Sequence, residues 1–406
     1  MRIIPLSNVF DEIFDQLAVF MVYCIPEKTA KEHSMYPRLK MNKRKITENT
    51  RAIISRAKTY GIDVTAITKC TGGNVEIAQA FLDGGAAAIG DSRIQNLKNL
   101  AMLPCEKWLI RIPMISESNE TVAFANLSLN SEMKTIRSLN LAAKAQGKTH
   151  GILLMLDLGD LREGYFIGDG RKNSDEINAL ISESLRVLDC DIQEILTMKN
   201  IKLRGIGTNA TCVGATIPIP DSFPAFFKVK QLIEEKYQLP CEIISGGNSS
   251  AWYLIENASI PVDINNLRLG DVILFGRESA YFHSYDYLHQ DAFILDIEII
   301  EIRSKPSYPI GEIGRNAFGD VPVFADHGIR RRAICALGRQ DTEPEHLFPL
   351  LPGIKIESYS SDHLILDITD APIDYVIGDI VSLRCDYMGA LYAATSEYVE
   401  KIIIND

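Results

Sequence analysis

Between about residue 60 and residue 276, short apolar runs rich in β-branched residues alternate with stretches of helical periodicity. Such alternation favours a parallel sheet, because parallel strands need a crossover connection that is usually a helix. The predicted strands are Val64–Thr68, Ala86–Gly90, Trp108–Ile112, Leu127–Asn130, Gly151–Asp157, Leu203–Gly207, Glu242–Ser245 and Asn266–Phe275. Eight such units over about 220 residues predict a (β/α)8 barrel. An open doubly wound sheet is the alternative, but no G-x-G-x-x-G turn follows the first strand.

The pattern changes after about residue 285, where strands are separated by Gly, Pro, Asp and Ser and helical stretches are few. The predicted strands are Ala292–Ile302, Ile329–Leu337, Ile354–Tyr359, His363–Ile368 and Ile380–Cys385. We therefore expect a barrel over residues 35–285 and an all-β domain over residues 286–406. An early strand, Tyr36–Met41, precedes the first barrel helix and is a candidate to pair with this second domain. Residues 1–34 form an N-terminal extension to which the sequence assigns no role.

Composition excludes several classes of function. The net charge of -11 and the pI near 5.3 argue against a nucleic-acid partner, which normally requires a basic face. The eight cysteines contain no C-x-x-C pair, and the seven histidines show no metal-binding spacing. This pattern is typical of reduced thiols in a cytoplasmic protein without a metal site. The apolar run Leu17–Ile25 is too short to span a bilayer, so no membrane partner is expected.

Candidate chemistry lies where the predicted strands end, because a barrel places its catalytic groups at that face. Lys69 follows the first strand, where partial desolvation would make its amine nucleophilic enough to react with an aldehyde. A lysine that extends from a strand end to solvent is the alternative. Ser245–Ala251, in the sequence S-G-G-N-S-S-A, follows the seventh strand and fits a phosphate site. A glycine turn with a serine cap is the alternative there.

Three further strand ends carry polar side chains. Arg268, on the eighth strand, places a cation at the same mouth, and an ion pair with a strand-end carboxylate is its alternative role. Arg162 lies on the glycine-flanked loop after the fifth strand, where a guanidinium can bind a substrate carboxylate with two hydrogen bonds. Asn209 follows the sixth strand, where a strand-end cap is the alternative.

These features together resemble the fold-type III enzymes that use pyridoxal 5′-phosphate (PLP), the alanine racemase family. A reactive lysine on strand one, Asn-Ser after strand seven, Arg-x-Gly on strand eight and a C-terminal β domain carry the resemblance, which covers residues 36–404. Five stretches are closer to the ornithine racemase branch than to alanine racemase itself: Gly90–Leu97, Asp157–Tyr165, Ile244–Ser250, Pro309–Gly314 and Ser360–His363.

The resemblance implies a role for each matching residue. Lys69 would hold PLP as a Schiff base and act as the base on one face of the substrate Cα. Ser249, with the backbone of Gly270 and Asp271, would bind the phosphate. Arg268 would hydrogen-bond the pyridine nitrogen and keep it unprotonated, because a guanidinium does not readily give up a proton.

The resemblance also implies cofactor or substrate contacts for residues outside these motifs. Asn209 and Asn248 would contact the cofactor, and Tyr398 would contact its phosphate. Arg162 and Ser361 would bind the substrate.

Several positions depart from the family pattern. Met155 stands where alanine racemases carry a carbamylated lysine, and Asn209 replaces a histidine. The family's phosphate-binding tyrosine falls at about Gly73. The tyrosine that serves as the opposite-face base falls within Gly311–Gly314, which contains no tyrosine.

Racemisation needs a second acid/base group on the other face of Cα, which the family takes from the partner subunit's β domain. The candidates are Glu312, Asp362, His363 and Tyr387, and we favour Tyr387 or Asp362. The alternatives are turn carboxylates for Glu312 and Asp362, a strand residue for His363, and a core or rim position for the tyrosine.

The resemblance therefore implies a cytoplasmic, homodimeric PLP-dependent amino-acid racemase with active sites at the subunit interface. Ornithine or a similar basic amino acid is the first expectation for its substrate. A racemase for alanine or lysine is the nearest alternative. A D-amino-acid lyase or aldolase on the same fold usually needs a metal site, which the sequence does not show. A non-catalytic PLP carrier would resemble a barrel without the β domain.

Overall fold

The computed structural model describes residues 35–171, 173–316 and 318–405, so the N-terminal extension predicted over residues 1–34 lies outside the described residues. Eight parallel strands form a closed barrel. They are Asp63–Ile67 (β2), Ala88–Asp91 (β3), Glu106–Leu109 (β4), Leu127–Asn130 (β5), His150–Asp157 (β6), Ile201–Gly207 (β8), Ile243–Ser245 (β9) and Asn266–Leu269 (β10). Their order is β5-β4-β3-β2-β10-β9-β8-β6, and pairing of β5 with β6 closes the ring. The predicted barrel is confirmed, and the open sheet is excluded.

The helices around the barrel follow the strands in chain order. They are Lys43–Lys58, Val75–Asp83, Ile94–Asn99, Ser118–Phe124, Met133–Ala145, Asp175–Thr197, Pro224–Tyr237, Trp252–Glu256 and Asp271–Phe275. One N-cap that is readable in the sequence is Asn74, whose side chain accepts hydrogen bonds from the backbone N–H of Glu76 and Ile77. The short two-residue strand Tyr165–Phe166 (β7) extends the barrel sheet beside β6.

The end of the eighth barrel strand differs from the prediction. We expected a strand over Asn266–Phe275, but β10 ends at Leu269 and Asp271–Phe275 is a helix. This segment is buried on all sides, so its side chains lack the alternation that separates a strand from a buried helix. The helix start brings the N–H groups of Gly270 and Val272 to within 3.3 Å of the Ser249 Oγ.

The second domain is an antiparallel sheet with one helix. Its strands are Phe293–Pro306 (β11), Ile329–Cys335 (β12), Leu347–Pro349 (β13), Lys355–Tyr359 (β14), Leu364–Asp367 (β15), Ile380–Cys385 (β16) and Glu400–Ile404 (β17). Their order is β13-β16-β11-β12-β15-β14. The helix Tyr387–Thr395, between β16 and β17, was not predicted, and it packs on the barrel turn Lys69–Thr71.

The first strand of the described chain, Arg38–Asn42 (β1), belongs to this second sheet. It runs antiparallel to β11, with Leu39 opposite Leu295, and parallel to β17, with Leu39 opposite Lys401. The predicted pairing of the early strand with the β domain is therefore confirmed. Residues 37–406 form one compact unit in which both sheets take part.

Side chains fill the inside of the barrel as a packed core. The interior cluster consists of Ala88, Trp108, Leu127, Leu129, Leu153, Met155 and Ile243. Met155 is fully buried there, at the position where the resemblance puts a carbamylated lysine. Among the described helices, none is long and apolar enough to cross a membrane.

Candidate active site

Lys69 lies at the mouth of the barrel, two residues beyond the end of β2. Thr68 fixes the turn before it, because its buried hydroxyl donates to the Asp91 Oδ2 at 2.7 Å. The half-buried Lys69 Nζ makes no hydrogen bond or ion pair in the part of the chain that the structure describes. It lies 5.4 Å from the centroid of the Tyr387 ring. The amine is therefore held at the mouth without a partner that would occupy it.

A cavity of about 490 Å³ opens in front of Lys69, which is within the usual size range of small-molecule sites. It collects most of the residues that the sequence predicted for the site: Lys69, Arg162, Asn209, Asn248, Ser249, Arg268, Gly270, Asp271 and Tyr387. They converge because parallel strands of a barrel end at the same face.

Arg268 is held rigidly at the bottom of this cavity. Its side chain is 3% exposed, and it donates to the Ser245 hydroxyl, to the Thr208 carbonyl oxygen at 2.6 Å and to the Asn209 Oδ1 at 2.6 Å. These three hydrogen bonds use the Nη1 and Nη2 atoms of Arg268, and none of them uses its Nε. Burial lowers the pKa of Arg268 to about 10, so the guanidinium is still charged at neutral pH.

Asn209 connects Arg268 to a second charged pair. Its Nδ2 donates to the Glu163 Oε1 at 2.8 Å, and Glu163 accepts two hydrogen bonds from Arg162. Arg162 Nη1 also lies 2.8 Å from the Cys212 Sγ. Arg162, which was predicted to bind the substrate, lines the cavity, and its donors face Glu163 and Cys212. The sequence did not predict these two partners, although Glu163 follows Arg162 directly in the loop after β6.

The loops after β9 and β10 form the opposite end of the cavity. Asn248 Oδ1 accepts from the Ser250 N–H at 2.8 Å, while its Nδ2 donates to the Ala210 carbonyl at 2.9 Å. Ser249 Oγ accepts from the N–H groups of Gly270 and Val272, at the start of the helix Asp271–Phe275. Gly247 has a φ of +132°, a backbone conformation that L side chains rarely adopt, so this tight turn requires glycine. Backbone donors and hydroxyls therefore converge here, as at an anion site.

A cation that the sequence did not predict lies at this end. Arg277 Nη2 is 3.4 Å from the Asp386 Oδ2, while its Nε is buried without a hydrogen-bond partner. Asp271 Oδ1 is likewise buried without a partner, and burial raises the pKa of Asp271 to about 7. Gly73 cannot carry the tyrosine that the family places there, because its φ is +68° and a Cβ would lie 2.6 Å from the Asn96 Cβ. Arg277 lines the same cavity as Ser249 and Asp271, so its guanidinium can face an anion bound there.

The β domain supplies part of the cavity wall. His346 Nδ1 lies 2.9 Å from the Asp386 Oδ2, and both residues line the cavity. Asp386 is buried, and its Oδ1 caps the following helix by accepting from Met388 N at 3.1 Å and Gly389 N at 3.5 Å. Nothing in the sequence pairs His346 with Asp386, because they are 40 residues apart on irregular segments.

Tyr387 follows Asp386 and is half-buried beside Lys69. Its ring packs edge-on against Phe275, with centroids 6.1 Å apart. Burial raises the pKa of Tyr387 well above its ordinary value, so the side chain is a neutral phenol. Tyr387 therefore reaches the cavity of its own chain.

The other predicted residues of the β domain do not reach this cavity within one chain. Tyr398, predicted to bind the phosphate, is 67% exposed, because the chain turns there to pair β17 with β1. Ser361 and Asp362 lie exposed on the turn before β15, where Asp362 bonds to Ser360 and His363. Glu312 is exposed on the irregular segment between β11 and β12.

The described residues contain no group of three or more His, Cys, Asp or Glu side chains placed to hold a metal ion.

Comparison with known proteins gives one consistent family. Residues 41–278 match the family model for the alanine racemase N-terminal domain. The chain is 40% identical over 370 residues to the ornithine racemase of Acetoanaerobium sticklandii, which covers 91% of this chain and all of that protein. It is 35% identical over 370 residues to the lysine racemase of Thermotoga maritima, covering 91% of this chain and 98% of that protein.

Solved structures share the fold at low sequence identity. An alanine racemase of Clostridium difficile in complex with cycloserine superimposes with a TM-score of 0.65 at 15% identity, covering 92% of this chain and 97% of that one. The D-threonine aldolase of Filomicrobium marinum gives a TM-score of 0.64 at 13% identity, covering 89% and 88%. At these identities the likeness concerns the two-domain architecture alone.

Proposed function

This chain belongs to the alanine racemase family and is an amino-acid racemase, and on that premise we propose that it interconverts L- and D-ornithine with PLP as cofactor. The 40% identity to an ornithine racemase over 91% of the chain supports this substrate over lysine and alanine. The observation that carries the proposal is the convergence of Lys69, Ser249 and Arg268 in one cavity.

The residues of the cavity fit PLP. The phosphate end offers the Ser249 hydroxyl, the backbone of Gly270 and Asp271, and Arg277, whose Nε lacks a partner. The Arg277 guanidinium pairs with Asp386 through Nη2 alone, so its buried Nε is left to donate to a phosphate oxygen. Asn209 and Asn248 complete the wall on the side of β8 and β9.

PLP, when bound, supplies an aldehyde for an amine and a ring that withdraws electrons from the substrate Cα, which makes the Cα proton acidic. Lys69 is the amine that can hold the cofactor, and its Nζ can take a proton from one face of Cα. Arg268 keeps its protons, because Ser245, Thr208 and Asn209 fix it as a charged donor. It can therefore donate to the pyridine nitrogen without protonating it.

A second proton-transfer group is needed on the opposite face of Cα. Of the two residues that the sequence favours, Tyr387 lies in the cavity of its own chain, whereas Asp362 would have to act from a second copy. Ser361, next to Asp362, would contact the substrate only from that copy.

We also propose a homodimer with active sites at the subunit interface. The segment between β11 and β12 exposes large apolar side chains, among them Ile310 at 92%, Val321 at 62% and Val323 at 96%. Exposed apolar clusters of this kind mark protein interfaces. Light scattering during size-exclusion chromatography should give a mass of two chains, and a monomer at micromolar concentration would contradict the dimer.

A cytoplasmic location is part of the same proposal. All seven cysteines of the described residues are free, as expected in a reducing compartment. Cell fractionation would test this location, and recovery in an oxidising extracellular fraction would contradict it.

The experiment that tests the function is a proton-exchange assay. The purified protein with PLP is incubated in D2O with L-ornithine, L-lysine or L-alanine, and Cα deuteration and chirality are followed by NMR and chiral chromatography. We expect deuterated, racemic ornithine, with slower reaction of lysine and alanine. Faster racemisation of lysine or alanine would reassign the substrate, and absence of exchange on all three would contradict the proposal.

A further inference from the structure

We propose that Phe282 is a positioning residue for the cofactor phosphate, because its ring holds the Arg277 guanidinium in place beside the Ser249 end of the cavity. The inference rests on the proposed binding of PLP and names a residue that favours the phosphorylated form of this cofactor. It is carried by one arrangement: an exposed aromatic side chain on a strained backbone, which lines the cavity and lies against Arg277.

The backbone of Phe282 adopts a conformation that is unfavourable for its side chain. Its φ is +59°, in the left-handed region that bulky residues rarely occupy. Among the described residues, Phe282 is the one aromatic residue with a positive φ. Strain of this kind persists only where the surrounding structure enforces it, and it is common where ligands bind. The position therefore requires an account of what enforces the strain and what the ring does.

Glu278 enforces the conformation of this loop. Its side chain is 0% exposed, and its carboxylate accepts from the N–H groups on both sides of Phe282, at 3.0 Å from Tyr281 and 3.0 Å from His283. The Ala280 N–H donates to the same carboxylate. The Glu278 N–H donates to the His283 carbonyl oxygen at 3.0 Å, which closes the loop. The strained backbone is therefore fixed by a buried group and is not a loose turn.

The neighbours of Phe282 attach the loop to the barrel. The Tyr281 ring packs edge-on against Tyr253, with centroids 5.1 Å apart, and stacks on the His283 ring at 5.5 Å. Tyr253 lies in the helix Trp252–Glu256, which begins directly after the turn that contains Ser249. The loop is thus anchored on the side of the cavity where the phosphate is proposed to bind.

The Phe282 side chain itself gains little from packing, since it is 61% exposed. Its ring centroid lies 4.9 Å from the Arg277 Cζ, which is within the range of a cation–π attraction. Both side chains belong to residues that line the cavity. The contact with Arg277 is therefore the interaction through which this ring can act on a ligand in the cavity.

Arg277 is restrained by two different groups. The Asp386 Oδ2 lies 3.4 Å from its Nη2, and the Phe282 ring lies beside the guanidinium. Neither contact uses the buried Nε, which remains able to donate to a phosphate oxygen. A donor that is already oriented binds its ligand more tightly than one that must be ordered on binding. Phe282 should therefore strengthen the binding of PLP and not that of pyridoxal, which has no phosphate.

The test uses Phe282→Asn in the full-length protein. Asparagine lacks the ring and tolerates a positive φ. We expect the dissociation constant of PLP to rise about two- to fivefold, as for the loss of an exposed cation–π contact, and that of pyridoxal to stay nearly unchanged. Fluorescence titration measures both constants. The urea midpoint of the PLP-free variant should equal or exceed that of the wild type, because backbone strain is relieved while little burial is lost.

Two further variants show whether Phe282 acts through Arg277. Phe282→Tyr keeps the ring and should bind PLP as the wild type does. In an Arg277→Met background, Phe282→Asn should cause no further loss of PLP affinity, since the two changes remove the same contact.

Three results would overturn the inference: additive losses in the double variant, equal weakening for PLP and pyridoxal, or a lower urea midpoint for Phe282→Asn. The last two would indicate that the ring only supports the folded structure. A wild-type protein that does not bind PLP would instead contradict the proposed function.

Discussion

The Asn209 side chain joins two charged groups of the cavity by accepting from Arg268 at 2.6 Å while donating to Glu163 at 2.8 Å. An amide can do both at once, because its oxygen accepts and its nitrogen donates. Asn209 therefore connects the cation at the bottom of the cavity to the Arg162–Glu163 pair on the loop after β6.

Replacing Asn209 with leucine should destabilise the protein. The change removes one acceptor from buried Arg268 and one donor from Glu163, and each loss costs about 1 to 3 kcal/mol. Urea unfolding of the PLP-free protein should show a lower free energy of unfolding. Asn209→His offers a ring nitrogen to Arg268 and is the control, which should recover part of the loss. Equal stability of Asn209→Leu and wild type would show that the network contributes little.

Replacing Lys69 with alanine should remove the covalent attachment of PLP and lower racemisation by about a thousandfold or more, since nucleophile and base are lost together. Borohydride reduction of the loaded wild-type protein, followed by peptide mass spectrometry, should place the cofactor on the peptide that contains Lys69. Lys199→Ala, on an exposed turn, is the control and should behave as wild type. A cofactor mass on another lysine would contradict the assignment.

Replacing Arg277 with methionine should weaken the binding of PLP by roughly tenfold or more, because a charge-assisted contact to the phosphate is lost. The binding of pyridoxal, which has no phosphate, should be nearly unchanged. Fluorescence titration with both molecules measures this difference. Arg277→Lys keeps the charge and should bind PLP more tightly than the methionine variant does. Equal weakening for PLP and pyridoxal would place Arg277 elsewhere in the site.

Asp271 should make the stability of the PLP-free protein depend on pH. Burial raises its pKa in the folded chain from 3.8 to about 7, so between these values the folded state holds a proton that the unfolded state has lost. This contribution to stability is present below about pH 4 and is lost as the pH rises towards 7, with an upper limit of about 4 kcal/mol.

The measurement compares wild type with Asp271→Asn by urea unfolding at several pH values between 4 and 8. The asparagine does not titrate, so the variant should gain stability relative to wild type as the pH rises through this window. His150 contributes with the opposite sign, since burial lowers its pKa to about 4, but it is common to both proteins and cancels in the difference. A difference that is independent of pH would refute the buried-carboxyl assignment.

The sequence predicted the barrel well because eight alternating units leave little choice of architecture. Residues at strand ends, such as Lys69, Ser249 and Arg268, could be placed together for the same reason: the topology alone brings parallel strand ends to one face. The eighth strand was predicted too long, because an apolar run buried on all sides carries no periodicity that separates strand from helix.

The residues that the β domain contributes to the cavity could not be predicted in this way. His346, Asp386 and Arg277 meet only through the packing of the β domain on the barrel, and the chain separates His346 from Asp386 by 40 residues. Tyr398 was placed in the site by its position in the family pattern, but its exposure is decided by the pairing of β17 with β1.

Because β1 lies between β11 and β17, the barrel is an insertion within the β domain rather than a module attached in front of it. The polypeptide crosses from one body to the other twice, and the first crossing has no linker, since Asn42 ends β1 and caps the helix that begins at Lys43. A double attachment of this kind resists hinge bending. A barrel expressed without the β domain would therefore lose the cavity residues that this domain supplies and the strand on which its first helix is anchored.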